Sequence, residues 1–256
     1  MNEENLIKYY NKFNEEKRLD TRHGRVEYLT AMKYLHDYLK EGDKIIDIGA
    51  GTGKYSKALS NEGYDVLAVE LVKHNLRQIE KKNVKCILGN ATNLSKIKDC
   101  AFDITLLFGP MYHLITMEDK IKALNEAKRI TKKNGYIFIS YCMNEYALIT
   151  YGFIEGNIRG SIESGLVDEN FKITPKNDDL YSFVRLEDIN YLKDITGLQR
   201  VKILSQDGCA EYIKKAINKM NEEDFNLFLN YHYHICERGD LLGASRHILD
   251  ILKKTE

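Results

Sequence analysis

The hydrophobic rhythm of the chain changes at residue 44. Beyond it, short apolar runs at 44–48, 65–70, 84–88, 102–108 and 135–142 alternate with amphipathic segments at 53–62, 73–82 and 118–132. Runs of the first kind predict strands and segments of the second kind predict helices. Such alternation argues for a parallel sheet covered by helices on both faces, a doubly wound α/β architecture, with right-handed crossovers fixing most of the topology. Ahead of this region, residues 1–43 are polar, with Tyr28, Leu29, Met32, Leu35 and Leu39 at helical spacing and Gly42 predicted to end the helix. Behind it, the pattern predicts a long helical stretch over 145–165, a polar connection through Pro175-Lys176-Asn177-Asp178, helix 186–196, strand 199–205 and helices 208–219 and 221–237. The closing run Arg246-His247-Ile248-Leu249-Asp250-Ile251-Leu252 suits a strand or a terminal helix, and a final antiparallel strand is the expectation. The domain expectation is one unit over 1–256, with a helical cap at 1–43 and helical lid insertions at 144–185 and 206–245.

Composition narrows the function classes. The chain has 256 residues, and 38 basic residues balance 38 acidic ones. It therefore has no global field to draw in nucleic acid or an anionic membrane surface, and a nucleic-acid partner would need a local basic patch. Cys86, Cys100, Cys142, Cys209 and Cys236 are odd in number and widely spaced, which fits reduced thiols better than a disulfide framework or a zinc pair. The start, MNEENLIKYYNKF, lacks the apolar core of a signal peptide, and no run is long enough to span a bilayer. A cytoplasmic, membrane-free protein, monomeric or homodimeric, is the expectation.

The stretch Ile45-Ile46-Asp47-Ile48-Gly49-Ala50-Gly51-Thr52-Gly53 places a carboxylate at a strand end and three glycines in the turn that opens a helix. Glycines there permit both a tight turn and close approach of a ligand to backbone amides at the helix start. A dinucleotide fingerprint G-x-G-x-x-G would need glycine at 54 counting from Gly49, where Lys54 stands, or at 56 counting from Gly51, where Ser56 stands. It fails in both registers.

Asp47-x-Gly49-x-Gly51-x-Gly53 resembles instead the loop of the class I, Rossmann-like S-adenosylmethionine-dependent methyltransferases, a resemblance that covers roughly residues 40–143. That cofactor has no pyrophosphate. Its amino-acid end carries an ammonium for Asp47 and a carboxylate for the loop amides. The resemblance implies that Glu70, ending the run Val66-Leu67-Ala68-Val69, accepts the ribose hydroxyls. It also places Asn90 and Ala91 by the adenine, although an acid usually stands where this chain has Asn90, and Asn90 serves equally well as a turn or helix cap. The implied cofactor site is Asp47, Gly49, Ala50, Gly51, Gly53, Glu70, Leu71, Asn90, Ala91 and Phe108, holding S-adenosylmethionine and leaving S-adenosylhomocysteine as product.

On the acceptor side, Phe108-Gly109-Pro110-Met111-Tyr112-His113 lacks the Asn-Pro-Pro-Tyr and Asp-Pro-Pro-Tyr motifs and the Pro-Cys pair of base methylation. His113 is either a general base or a loop histidine that packs helix 118–132, and Tyr112 either touches the reacting groups or walls the cofactor. Arg25 and Tyr28 are candidates for closing over the site, or belong to a solvated helix start. No metal is expected, because Tyr231-His232-Tyr233-His234 and Cys236 have no second ligand cluster to join. The expected function is methyl transfer to a small-molecule acceptor. The alternatives are an RNA or protein methyltransferase and a non-catalytic S-adenosylmethionine-binding protein.

Overall fold

The computed structural model describes residues 3–10, 15–80, 82, 84–176 and 178–256. Residues 1, 2 and 11–14 of the expected cap, Lys81 of the expected helix 73–82 and Asn177 of the expected connection lie outside the described residues. Three helices open the chain: α1 (Glu3–Tyr10), α2 (Glu15–Asp20) and α3 (Arg22–His36). The Thr21 hydroxyl accepts from the Gly24 amide at 3.2 Å and so caps α3. This helix stops at His36 rather than at Gly42, because the Tyr38 and Leu39 amides both turn back onto the Leu35 carbonyl. Gly42 sits in the following turn at φ 82°.

The alternating region then follows: β1 (Lys44–Ile48), α4 (Lys54–Asn61), β2 (Asp65–Glu70), α5 (Lys73–Glu80), β3 (Lys85–Leu88), β4 (Phe102–Leu107), α6 (Met117–Ile130) and β5 (Thr131–Cys142). Next come α7 (Asn144–Ala147), a π-helical turn at Leu148–Ile154, α8 (Ile158–Glu163), α9 (Leu186–Thr196), β6 (Gln199–Ser205), α10 (Lys214–Ile217), α11 (Glu222–Ile235) and β7 (His247–Lys253). The seven strands are ordered β3-β2-β1-β4-β5-β7-β6. Only β7 runs antiparallel to its neighbours, β5 and β6. The expected final antiparallel strand is therefore present, inserted between two strands rather than at the edge.

Both faces of the sheet are buried. Ile46 and Ile48 of β1 face a core built with Ala123, Leu124 and Ala127 of α6 and Ile189 and Leu192 of α9. Ile45 faces Ala31 and Leu35 of α3, Leu59 of α4 and Ile79 of α5. Alternate side chains of a central strand point to opposite faces, so β1 carries buried isoleucines on both.

Further boundaries differ from expectation. Helix α6 ends at Ile130, because Thr131 turns extended and donates its hydroxyl to the Ala127 carbonyl at 2.6 Å. Strand β5 thus starts at Thr131, paired to Phe102 across a register shift. The stretch 145–165 breaks into three pieces, with Gly156 at φ 77° between the last two. In place of a helix over 208–219 stand turns and the short α10, starting from Gly208 at φ 54°. No helix among the described residues is long and apolar enough to cross a membrane.

Candidate functional site

The carboxyl ends of the parallel strands meet at one cavity, the position where open α/β sheets hold ligands. Asp47, Gly49, Ala50, Gly51, Glu70, Leu71, Asn90, Ala91 and Phe108 all line it, as do Tyr112 and His113. Gly53, Arg25 and Tyr28 do not. Gly53 is the N-cap of α4 at φ 80°, where an added Cβ would touch Ile79. Arg25 pairs with Glu222 at 3.0 Å and lies over the Phe225 ring, away from the cavity. Tyr28 stands behind the wall, its ring 5.1 Å from that of Tyr55.

The glycine turn is built from β1 and β2. The Gly49 and Ala50 amides donate to the Val69 carbonyl at 2.8 and 3.1 Å, which ties the turn to the end of β2. At Gly49 an added Cβ would lie 2.6 Å from Pro110, so bare backbone is needed for the loop after β4 to close against the turn. At Gly51, φ 57°, an added Cβ would meet nothing within 4 Å. That glycine faces open space and leaves a cradle for a ligand.

Two acids flank this cradle. Asp47 is 2% exposed and accepts from the Ser56 hydroxyl at 2.5 Å. Burial pushes its pKa up to about 6, against the pull of Ser56. Glu70 accepts from the Gly51 and Val72 amides at 2.8 Å each, and burial still raises its pKa to about 7. Both acids are poorly solvated, and a cationic or hydroxyl-bearing ligand would relieve each of them. Asn90 lines the cavity, but its amide oxygen accepts from the Thr92 amide and hydroxyl, both at 2.9 Å. The turn role and the cavity position thus occur together.

The opposite wall is assembled from distant segments. His113 Nδ1 lies 2.9 Å from the Leu180 carbonyl, which can only accept, so Nδ1 carries the proton. Its Nε2 then accepts from the Tyr10 hydroxyl at 2.7 Å. Burial lowers the His113 pKa to about 4, with the nearby Lys120 charge adding to the effect. The basic lone pair is thus already engaged by Tyr10, and the imidazole stays neutral at physiological pH. Buried Lys120 clamps the loop by donating to the Met111 carbonyl at 2.7 Å, to the Leu114 carbonyl and to the Ser182 hydroxyl at 2.9 Å. Burial brings its own pKa down to about 7.

Arg18, Glu27 and Tyr55 also line the cavity, and none was singled out from the sequence. Arg18 grips Glu27 with two hydrogen bonds, at 2.7 and 3.1 Å. Glu27 also stands 3.4 Å from His247, which hydrogen-bonds Asp207 at 2.7 Å. Burial alone would raise Glu27, but Arg18 and His247 outweigh it and hold the carboxyl down at about 2. Burial opposes the charge on His247, yet Glu27 and Asp207 keep it well above its ordinary value. Glu27, Asp207 and His247 bring possible metal ligands within 4.8 Å of one another. Arg18 and the imidazolium already neutralise both carboxylates, so the donor set is a closed ion network and not a vacant chelate. His232 packs against Gly208, and Cys236 bonds Tyr34, so the 231–236 run forms no shared cluster.

Tyr55 is 8% exposed, and its hydroxyl has no hydrogen-bond partner among the described residues. A buried orphan hydroxyl on a cavity wall asks for a polar ligand group. Glu27 carried a signal in the sequence: it shares the α3 face of Ala31 and Tyr34, and an acid on an apolar face must have a buried partner. Of the three segments expected over the ligand edge, only the first lines the cavity among the described residues, through Leu6, Tyr10, Arg18, Leu19 and Glu27. Residues 180–182 support it from behind His113, and α11 packs on α3 through Phe225 and Val26.

Comparisons with known proteins bear on the family and the fold. A family described as "Methyltransferase domain" matches residues 46–139. A demethylmenaquinone methyltransferase of Paenarthrobacter aurescens is 34% identical over 105 residues, 40% of this chain and 40% of that protein. A probable tRNA methyltransferase 9B of Mus musculus is 28% identical over 107 residues, 42% of this chain and 23% of its own length. This chain therefore spans well under half the length of either relative. Among solved structures, a methyltransferase of Thermotoga maritima described as a possible histamine N-methyltransferase aligns with a TM-score of 0.60 at 22% identity, over 97% of this chain and 98% of that one. Residues 46–139 are thus similar to a methyltransferase domain, and the chain has the Rossmann-like fold seen in solved structures described as S-adenosylmethionine-dependent methyltransferases.

Proposed function

We infer that this chain is an S-adenosylmethionine-dependent methyltransferase acting on a small-molecule acceptor. The observation that carries the reading is the convergence of Asp47, the open cradle at Gly51 and Glu70 on one cavity whose far wall is Tyr10, Tyr55, Tyr112 and His113. The cofactor supplies an electrophilic methyl group on a sulfonium. In this reading the ammonium end meets Asp47, the carboxylate end meets the amides of the glycine turn, and Glu70 holds the ribose. Leu71, Asn90, Ala91 and Phe108 complete the adenosine side, while Gly53 shapes the turn without touching ligand.

The chain's own work on the acceptor is mostly positional. Lys120 fixes the 111–114 loop, and the Leu180 carbonyl fixes the His113 tautomer. His113 in turn orients the Tyr10 hydroxyl, so Tyr10 stands nearer to any proton transfer than His113 itself. Leu6 and Tyr10 of α1 and Arg18 and Leu19 of α2 line the far wall, and in this reading they reduce the access of water that would compete for the methyl group. An enclosed wall of this kind suits a small acceptor better than an open macromolecular groove, and the balanced charge argues the same way.

The test is calorimetric titration of the whole chain with S-adenosylmethionine, S-adenosylhomocysteine and NAD, followed by acceptor screening with labelled methyl donor. Binding of the two adenosyl compounds without NAD supports the reading. Silence from both, in folded protein, removes it. Label transferred to tRNA or to protein, and to no small molecule, replaces the acceptor class.

A further inference from the structure

At the edge of the sheet away from the cavity, three parts of the chain meet around one thiol. The loop before β4 carries Cys100, whose amide donates to the Arg129 carbonyl at 3.0 Å, while the Ala101 amide donates to the Ile130 carbonyl at 2.8 Å. These bonds fasten the loop to the carboxyl end of α6. Lys254 follows β7, and its amide donates to the Gly135 carbonyl at 3.1 Å. Its side chain runs back under α6, and the residue is 8% exposed. The ammonium donates to the Thr131 carbonyl at 2.8 Å, to the Arg129 carbonyl at 3.5 Å and to the Cys100 sulfur at 3.4 Å.

Several features set this pair apart. Of the five cysteines, Cys100 alone accepts a hydrogen bond from a lysine among the described residues. It is exposed, so a small oxidant can reach it, whereas Cys142 and Cys236 are buried. Its backbone lies in the left-handed region, φ 49°, where a residue other than glycine is uncommon and tends to mark a functional constraint. Cys209 is exposed as well, but partial burial and the nearby Asp207 carboxylate push its thiol up, toward the less reactive form. Capping the α6 carbonyls explains two of the three Lys254 bonds. It does not call for a thiol at the third.

We propose that Cys100 and Lys254 form a peroxide-responsive modification site, in which oxidation joins the Cys100 sulfur to the Lys254 nitrogen. Hydrogen peroxide is the oxidant and takes up the two electrons. In the first step the sulfur attacks the O–O bond, giving the sulfenic acid and one water. In the second, the ammonium releases a proton to solvent and its nitrogen lone pair attacks the sulfur. The S–N bond forms, the S–O bond breaks, and the oxygen leaves as a second water with a proton from that nitrogen. The product is a sulfenamide, which a thiol reductant returns to the free pair. An amine held beside the sulfur reacts ahead of a second peroxide, because the condensation is intramolecular. The link ties the segment after β7 to the loop before β4, two points far apart in the chain, and so constrains the unfolded state. None of this depends on the methyltransferase reading of the cavity.

The test is peptide mapping by mass spectrometry of the whole chain after hydrogen peroxide, with digestion in the absence of reductant. The expected product is a cross-linked peptide joining Cys100 to Lys254, lighter by about 2 Da than its two parts together and lost on treatment with dithiothreitol. Lys254→Arg keeps a cation for the α6 carbonyls but should form no link, leaving the Cys100 sulfenic acid open to capture by dimedone. Wild type should show at least tenfold less capture at Cys100 than Lys254→Arg, and Cys100→Ser should show neither link nor capture there. The oxidised wild type should also melt a few degrees above the reduced chain, a shift that both variants lack. Cys100 recovered as a free thiol, or as a sulfenic or sulfinic acid with Lys254 unmodified, overturns the proposal and leaves Lys254 as a helix cap. Oxidation that falls on Cys209 ahead of Cys100 overturns it as well.

Discussion

The two halves of the first cavity are made in different ways. The half proposed for the cofactor comes from neighbouring strand ends and turns: Asp47 is the penultimate residue of β1, Gly49–Gly53 follow Ile48 at once, and Glu70 ends β2 beside it. Its key contacts close over short distances in sequence, Gly51 to Glu70 and Ser56 to Asp47. The half proposed for the acceptor is gathered from across the chain, with Tyr10 reaching His113 and Leu180 reaching the same ring from the other side. A half built locally has few ways to vary, whereas a half built from lids and insertions can change with each of them.

The difference can be broken most severely at Glu27. Replacing Glu27 with alanine leaves Arg18 and the His247 imidazolium buried without their shared acid, at a cost of roughly 3–5 kcal/mol of stability. The denaturation midpoint should drop accordingly, while Arg25→Ala, which loses an exposed pair and the guanidinium over the Phe225 ring, should move it far less. Equal midpoints for the two variants would show that the buried network does not hold the acceptor wall.

Asp47→Ala comes next. Losing a charge-assisted partner costs about 1.5–3 kcal/mol, or roughly ten- to a hundredfold in S-adenosylhomocysteine affinity, with little change in melting. Unchanged affinity by calorimetry would separate the acid from the cofactor.

A pH series sharpens the same half. Burial holds Asp47 at about 6 and Glu70 at about 7, above their ordinary values of 3.8 and 4.5. The folded, unliganded chain keeps these protons where the unfolded chain has released them, so their share of stability is full below about pH 4 and is lost as pH rises through 6–7. Glu27 runs the other way, since its folded value lies below the ordinary one, and its share is lost only as pH falls toward about 2. Cofactor binding needs the ionised acids, so affinity should rise on the order of a hundredfold from about pH 5.5 to about pH 7.5, the larger part from Glu70. Asp47→Asn should remove only about fourfold of that rise; a wild-type profile without slope would count against both acids as ligand groups.

The smallest effect is expected at Tyr55. Removing an orphan hydroxyl with Tyr55→Phe should leave the melting temperature equal or slightly higher, because no hydrogen bond is lost. The KM for the acceptor should rise with cofactor affinity unchanged. A variant that melts early would mean that the hydroxyl supports the fold and not a ligand.

Reading the fold from the chain succeeds where the physics is local. The alternation of buried strands with amphipathic helices announces the sheet, and the final antiparallel strand is visible in the run 246–252. The boundaries that move are those where one side chain arbitrates, as Thr131 does by turning its hydroxyl back onto α6. On the acceptor side, Arg25 and Tyr28 belong to the right helix but the wrong face, and Arg18 and Glu27 occupy the cavity instead. Which face of α3 turns inward depends on its packing against β1, α11 and β7, which no local pattern encodes. His113 is legible as a site residue, but its tautomer and its partner depend on Leu180 and Tyr10.

By itself the sequence determined the α/β sheet, the glycine turn, and the pairing of Asp47 with Glu70, because each follows from the order and spacing of neighbouring residues along strands that end together. Only the tertiary structure decided the acceptor wall, the closed Arg18–Glu27–His247–Asp207 network and the contact of Lys254 with Cys100. Those depend on segments far apart in the chain burying charge and hydrocarbon against one another, and burial is a property of the folded whole.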